Sequence, residues 1–393
     1  MSARQAVPAR DCLNADLQHV ESVLSRFANP WHRYFLTMSL DATAEVLTNC
    51  RAAHRAPAAK NPQNRKRRHP ARLRNISAHE INQFRTLGYV KLKGILSEDQ
   101  VVALRGALTA AMDSLPSSPN GYNVTTAADA LWGAAAARDH EASTQHDLAA
   151  LARAISQSDL PRLVDEQLPG QARGHFLLDT SAWRRVPALA AFALGSELPR
   201  ITATLLDIPV VRFFDDQIFI KEAGAVDRVA FHQDLTYFHL DGTAGCVFWI
   251  PLDPVRSGSG RMGYVPGSHL WKKLFKPNIF ASELPFPGSE GLDMPNIDAD
   301  PGTFGVQYVE AEPGDVLVHH LLTIHGSEGN RGIATRRALS LRYCDATIRY
   351  RHRRGAPAQP LHRANMADGD PLDDAIHPLV WPAAKEAKAA QQR

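Results

Sequence analysis

Cysteine is scarce: four residues, Cys12, Cys50, Cys246 and Cys344, are spread over 393 positions with no CxxC pair. That spacing argues against a disulfide framework and against a zinc knuckle, and the four read as reduced thiols. Long apolar runs are missing too. None approaches the ~20 residues that a bilayer-spanning helix needs, so no membrane span is expected. The opening stretch Met1 to Gln18 lacks the charged-then-apolar layout of a signal peptide, and a cytoplasmic location is expected. Acid is absent from Arg51 to Arg74, which carries nine Lys or Arg in a chain of net charge +3, leaving the remainder net acidic. Such a block can contact nucleic acid, but no Phe, Tyr or Trp is interleaved there to stack on bases. The stretch reads as a solvated linker, and nucleic acid is not expected as a partner.

What is present divides the chain unevenly. Residues 1–50 form an N-terminal extension with helical apolar spacing in Asp16 to Phe27 and again in Leu36 to Leu47. Residues 51–75 are the basic linker. Ser77 followed by Glu80 is a capping box, Gly88 is a stop, and Tyr89 to Lys93 alternates as a strand. Ser97 with Gln100 repeats the capping pattern ahead of a helix over Val101 to Met112. The main domain spans 76–355 and contains an Ala-rich insertion at 117–174, with helical pieces over Ala127 to Ala137 and Asp147 to Ile155. The insertion is either a lid or substrate wall, or a surface decoration. From Val210 the texture changes to short β-rich runs: Val210 to Lys221, Val229 to Asp234, Cys246 to Leu252, Arg261 to Val265, Val306 to Glu310, Val316 to His319 and Ala338 to Tyr343. Many short strands separated by turn residues predict a sandwich or jelly roll. Residues 356–393 are a tail expected to close with a peripheral helix.

The chemistry concentrates in those runs. Iron(II) sites that activate oxygen take two imidazoles and one carboxylate on one face, leaving the opposite face open. In Phe231-His232-Gln233-Asp234, strand alternation puts His232 and Asp234 on one side and Gln233 on the other. An HxD pair alone is weak, because a single histidine is more often packed than ligating. A third ligand is available at His325, beyond the turn Pro313-Gly314 and an apolar strand; His319 and His320 are its rivals. A histidine inside an apolar strand is more often a satisfied core residue, whereas the Gly326-Ser327 after His325 suits a ligand at a strand end. A buried carboxylate of a co-substrate requires a fork of donors, which Arg supplies. Arg336 lies eleven residues after His325, on the same side of its strand as Arg342 and opposite Arg337. Spacing leaves the choice among the three open, and Ser327 offers a further hydroxyl.

Taken together, Phe231-His-Gln-Asp-Leu-Thr-Tyr-Phe238, Gly263-Tyr-Val-Pro-Gly-Ser-His269, Pro313-Gly-Asp-Val316 and His325-Gly-Ser…Arg336-Arg-Ala-Leu-Ser340 resemble the phytanoyl-CoA dioxygenase family. The resemblance runs from about Ile76 to Tyr350, strong after Val210 and faint across the insertion. It implies a mainly β fold with helical additions, a double-stranded β-helix (jelly-roll) core flanked by α-helices. It implies Fe(II) as cofactor, with 2-oxoglutarate and O2 as co-substrates. It further implies His232, Asp234 and His325 as ligands, Arg336 as the carboxylate anchor with Ser327 beside it, and Gln217 and Trp249 near the co-substrate. The expected activity is hydroxylation of an unactivated C–H in a small molecule of secondary metabolism, or in an acyl or amino-acid derivative. Desaturation, epoxidation and cyclisation use the same oxidant. Asp234, in place of a small residue that would leave room for chloride, disfavours halogenation. The opposing readings are a non-catalytic jelly-roll binding protein and a dioxygenase acting on nucleic acid or protein.

Other residues carry plainer expectations. His269 is read as structural, bonding a neighbouring loop. Tyr237, Phe238 and His239 either line the substrate pocket or pack its wall. Lys221 contacts a substrate anion or is solvated. Substrate specificity is expected in the loops Ser117 to Gly174 and Asn278 to Thr303.

Overall fold

The structure is a computed structural model that describes residues 74–382 apart from 114, 116–117, 119, 137–145, 358, 360–361 and 363–365. The N-terminal helical segments, nearly all of the basic linker and the closing helix of the tail lie outside the described residues.

In chain order the elements are α1 (Ala78–Leu87), β1 (Tyr89–Leu92), α2 (Glu98–Asp113), β2 (Gly121–Asn123), α3 (Val124–Ala136), α4 (His146–Gln157), β3 (Phe176–Thr180), α5 (Pro187–Gly195) and α6 (Leu198–Leu206). There follow β4 (Val211–Lys221), β5 (Val229–His232), β6 (Leu240–Asp241), β7 (Gly245–Pro251), β8 (Met262–Tyr264), β9 (Gln307–Val309), β10 (Val316–His320), β11 (His325–Ser327), β12 (Arg336–Asp345), β13 (Arg349–Tyr350) and β14 (Leu379–Trp381). Local chemistry explains the entry: the Ser77 side chain accepts from the Glu80 N–H, Glu80 answers to the Ser77 N–H, and Gly88 ends α1 at φ 81°. A side chain at Gly88 would collide with Thr323 and His269.

Every paired strand is antiparallel. The main sheet runs β1-β10-β7-β12-β4-β3-β2 with β14 added against β4, and a smaller sheet runs β5-β11-β8-β9. Both faces of the main sheet are covered, which is why its strands read as continuous apolar runs. One face buries Leu92, Val318, Phe248, Leu341 and Ile220 against Leu104 and Leu108 of α2, Leu189 of α5 and Ile201 of α6. The other turns Tyr89, Leu317, Trp249 and Ala338 toward Met262 and Tyr264 of the small sheet. Each such aliphatic or aromatic side chain contributes about 1.5–3 kcal/mol on burial. The result is a jelly roll, mainly β, with helices on the outer face of one sheet and a cavity between the two sheets.

Two departures from the sequence reading matter. The strand expected to run through Asp234 stops at His232, and Asp234–Tyr237 is a short 3-10 turn. Gln233 causes the exit: its amide donates to the Lys273 and Leu322 carbonyls and accepts from the Phe275 N–H, tying the chain to neighbouring loops. The helices α5 and α6 had no counterpart in the sequence reading, although each carries Pro in its first turn. Among the described residues, no helix is long and apolar enough to cross a membrane.

Candidate active site

His232 ends β5 and His325 opens β11, and the two are direct ladder partners. This pairing brings their rings to 4.4 Å between centroids. Each ring is oriented by its own backbone: His232 Nδ1 lies 2.8 Å from the Ala230 carbonyl and His325 Nδ1 lies 2.9 Å from the Thr323 carbonyl. A carbonyl only accepts, so Nδ1 carries the proton and the lone pair of a neutral ring sits on Nε2. Both Nε2 atoms face Asp234, at 3.7 Å from Oδ1 and 3.9 Å from Oδ2. One donor atom from each of His232, Asp234 and His325 falls within 4.8 Å of the others, and all three residues are buried. Two imidazole nitrogens and a carboxylate oxygen at that spacing could hold one divalent transition metal.

The electrostatics point the same way for His325 and Asp234. Burial, with the His319 and His232 rings, pushes His325 well below its ordinary value. Burial alone would raise the Asp234 carboxyl, but the surrounding imidazoles of His325, His232 and His319 hold it well below the usual range. A neutral His325 ring beside an ionised carboxylate suits a metal ion, which binds deprotonated ligands.

His319, a rival ligand in the sequence reading, stands beside this set. Its Nε2 is 3.0 Å from Asp234 Oδ2 and its Nδ1 is 3.4 Å from the Tyr264 hydroxyl. It is a satisfied core residue whose partner is the carboxylate itself. His320 faces the other way, toward Phe84 and His269.

Three arginines were left open by spacing, and the sheet sorts them. Arg337 points outward and forms a bidentate pair with Asp253 at 2.8 and 2.7 Å. Arg336 and Arg342 both line the cavity that holds the two histidines and Asp234. The Arg336 side chain is buried, yet its Nε and Nη1 have no hydrogen-bond partner among the described residues. Burial lowers its pKa to about 10. Its guanidinium lies 5.3 Å from the Trp249 ring, and Gly260 at φ 81° leaves the space it fills. A buried fork of unpaired donors is costly, so a carboxylate is the group expected to complete it.

Comparison with known proteins gives the family and the fold. The profile of the phytanoyl-CoA dioxygenase family (PhyH) matches residues 84–338. The chain belongs to this family. Similar proteins include a probable phytanoyl-CoA dioxygenase of Caenorhabditis elegans, 31% identical over 137 residues that cover 34% of this chain and 42% of that one. Phytanoyl-CoA dioxygenase 1 of Oryza sativa subsp. japonica is 26% identical over 182 residues, 45% of this chain and 61% of the relative. The chain thus matches roughly half the length of these relatives. Among solved structures, the non-heme alpha ketoglutarate dependent carbocyclase SnoK from nogalamycin biosynthesis is similar at a TM-score of 0.52 and 24% identity, covering 79% of this chain and 99% of that one. That likeness is one of fold.

The remaining residues singled out by the family resemblance fall around the same cavity. Ser327 lines it, and its Oγ accepts from Lys221 Nζ at 3.1 Å. Trp249 lines it through the contact with Arg336, while Gln217 lines it with its carbonyl oxygen accepting from Arg342. Lys221 is not solvated: it is fully buried, donating also to the carbonyls of Asp227 at 3.0 Å and Glu328 at 2.5 Å. Burial, followed by the charge of Arg336, depresses its pKa well below the ordinary value. His269 is structural as expected, with Nε2 3.1 Å from the Arg85 carbonyl of α1. Tyr237 packs the wall, its hydroxyl 2.8 Å from the Asn278 carbonyl and its ring stacked on Phe280. Phe238 packs on Phe214, and His239 bonds the Pro357 carbonyl and the Arg353 N–H.

Phe176 and Leu178 of β3 line the cavity and were missed from sequence; the short apolar run Phe176-Leu177-Leu178 just beyond the insertion was the available signal. The described part of the insertion backs this wall: Val124 and Ala128 of α3 pack on Phe176 and Leu178. Phe280, from the second variable loop, reaches the cavity directly.

Proposed function

We propose that the chain is an iron(II)- and 2-oxoglutarate-dependent oxygenase that hydroxylates an unactivated C–H of a small molecule. The observation that carries this reading is a single cavity holding a His-Asp-His donor set and, with it, the unpaired guanidinium nitrogens of Arg336. The donor set fits a ferrous ion, and the orphaned Arg336 nitrogens fit the far carboxylate of 2-oxoglutarate. His232, Asp234 and His325 would hold the metal. With 2-oxoglutarate and oxygen, iron supplies an oxidant able to take hydrogen from an unactivated carbon. The balance is one C–H becoming C–OH while 2-oxoglutarate leaves as succinate and carbon dioxide.

The chain's own residues bind, orient and exclude. Arg336 grips the carboxylate, and Ser327, whose lone pair is taken by Lys221, has its hydroxyl proton left to donate to the same group. His319 fixes the Asp234 carboxylate by hydrogen bonding. Phe176, Phe219, Val229, Met262 and Phe280 keep the space around the reacting carbon apolar. The same residues permit desaturation, epoxidation or ring closure, because those outcomes differ in substrate placement. Secondary metabolism is the favoured setting, since SnoK, similar in fold, is a carbocyclase from nogalamycin biosynthesis.

The test is anaerobic titration with iron(II) and 2-oxoglutarate, followed by oxygen and measurement of succinate. Wild type is expected to bind both and form succinate, with no metal bound by His232→Ala. A wild-type chain that binds neither sinks the reading and leaves a jelly-roll binding protein in its place.

A further inference from the structure

We propose that Arg342, held by Gln217, is a second anion station in the cavity and that the primary substrate carries a carboxylate. The inference rests on the oxygenase reading above and names the substrate class for that same site. Arg336 and Arg342 share one face of β12 six residues apart, so their Cα atoms are separated by about 20 Å along the strand. Their surroundings differ accordingly. Arg336 stands over Trp249, whereas Arg342 stands 5.2 Å from the Phe238 ring and donates to the Gln217 carbonyl oxygen.

Arg342 keeps donor capacity of its own in that cavity. It is 6% exposed, lines the cavity, and its Nε has no hydrogen-bond partner among the described residues. Its ladder partner Asp215 feels the Arg342 charge, which pulls the carboxyl down against the burial that raises it, yet Asp215 accepts from the Ser181 hydroxyl at 2.8 Å and no carboxylate oxygen among the described residues lies within 4.0 Å of the guanidinium. A buried guanidinium with no direct ion pair and an unanswered Nε gains from an anion that comes within hydrogen-bond reach. Gln217 has given its carbonyl oxygen to Arg342, so its amide NH2, a pure donor, is what it still offers. Two donor groups lining the cavity of the metal set match the two oxygens of a carboxylate. The apolar wall formed by Phe176, Leu178 and Val247 suits the hydrocarbon body attached to it.

The probe is a panel of aliphatic and aromatic monocarboxylic acids, each matched to its primary amide and added to the iron- and 2-oxoglutarate-loaded full chain. Stimulated 2-oxoglutarate consumption is the readout. At least one acid is expected to raise turnover several-fold while its amide does not. Arg342→Gln is expected to erase that discrimination by about ten- to a hundredfold, the worth of a charge-assisted hydrogen bond, with the KM for 2-oxoglutarate held within about twofold. Arg342→Lys, which keeps the charge, should restore part of it and guards against a misfolded Gln variant. Acids and amides acting alike, no acid acting at all, or a collapse of 2-oxoglutarate affinity in both Arg342 variants overturns the proposal. Failure of wild type to bind iron and 2-oxoglutarate would instead defeat the oxygenase reading itself.

Discussion

Arg336 and Arg337 are neighbours on one strand and live in opposite worlds. Arg337 faces outward, half-buried, with its guanidinium and its backbone N–H all answered by Asp253. Arg336 faces inward, almost fully buried, with two guanidinium nitrogens unanswered. Both are arginines in a repeated pattern, and only the pleat decides which is a surface ion pair and which is an unfinished site. The contrast teaches that on β12 binding capacity is stored as unsatisfied polarity on the face turned to the cavity. On β12 the outward residues Arg337 and Tyr343 complete their own bonds.

The comparison is tested most severely at the metal set. His325→Ala removes a donor from the inner face, and metal affinity should fall by more than the roughly 10–100-fold typical of losing an outer supporting group. Equilibrium dialysis against iron(II) measures it; a variant that retains wild-type affinity would break the inner-face argument. Arg336→Ala comes next. Leaving a buried carboxylate unpaired costs about 3–5 kcal/mol, so the Kd for 2-oxoglutarate should rise at least about 100-fold. Arg336→Met carries a sharper signature: without co-substrate it removes an unpaired buried charge and should raise stability by about 1–4 kcal/mol while abolishing 2-oxoglutarate binding. A Met variant less stable than wild type would show that Arg336 is satisfied in the empty protein. His319→Phe should then weaken metal binding by about 10–100-fold, because the Asp234 carboxylate loses the donor that orients it.

The sequence made the strands and the donor residues legible, and the cavity around them much less so. Ser77, Glu80 and Gly88 mark α1 because capping is local chemistry, readable from three residues. The runs from Val211 onward are legible because a strand buried on both faces is apolar throughout. The convergence of His232 and Asp234 was anticipated for an incomplete reason. Alternation does send Gln233 outward, but the carboxylate arrives from a 3-10 turn imposed by loop contacts of Gln233. Arg337 and Arg336 became distinguishable by alternation only once the register to β4 was in hand. The partnership of His319 with Asp234 joins residues 85 positions apart, and the Phe176 and Leu178 wall depends on β3 pairing β4. No local pattern encodes either one.

The smallest expected effect is the one that closes the comparison. Arg337→Ala deletes a pair whose side chains are 28% and 14% exposed, on the face that carries no site. Asp253 would keep the Arg337 N–H at 2.8 Å and Arg105 at 3.6 Å, so its carboxylate is not stranded. Solvent screening and this redundancy limit the loss to about 0.2–1 kcal/mol, readable as a small drop in the denaturation midpoint. Metal affinity and the Kd for 2-oxoglutarate should stay at wild-type values. Raised salt should shrink the loss further, because a partly exposed pair is screened. The sign is opposite to that of Arg336→Met, which gains stability and loses the ligand. Finding both substitutions destabilising, or both harmful to co-substrate binding, would mean that the two faces of β12 are coupled and that unsatisfied polarity is not confined to the inner one.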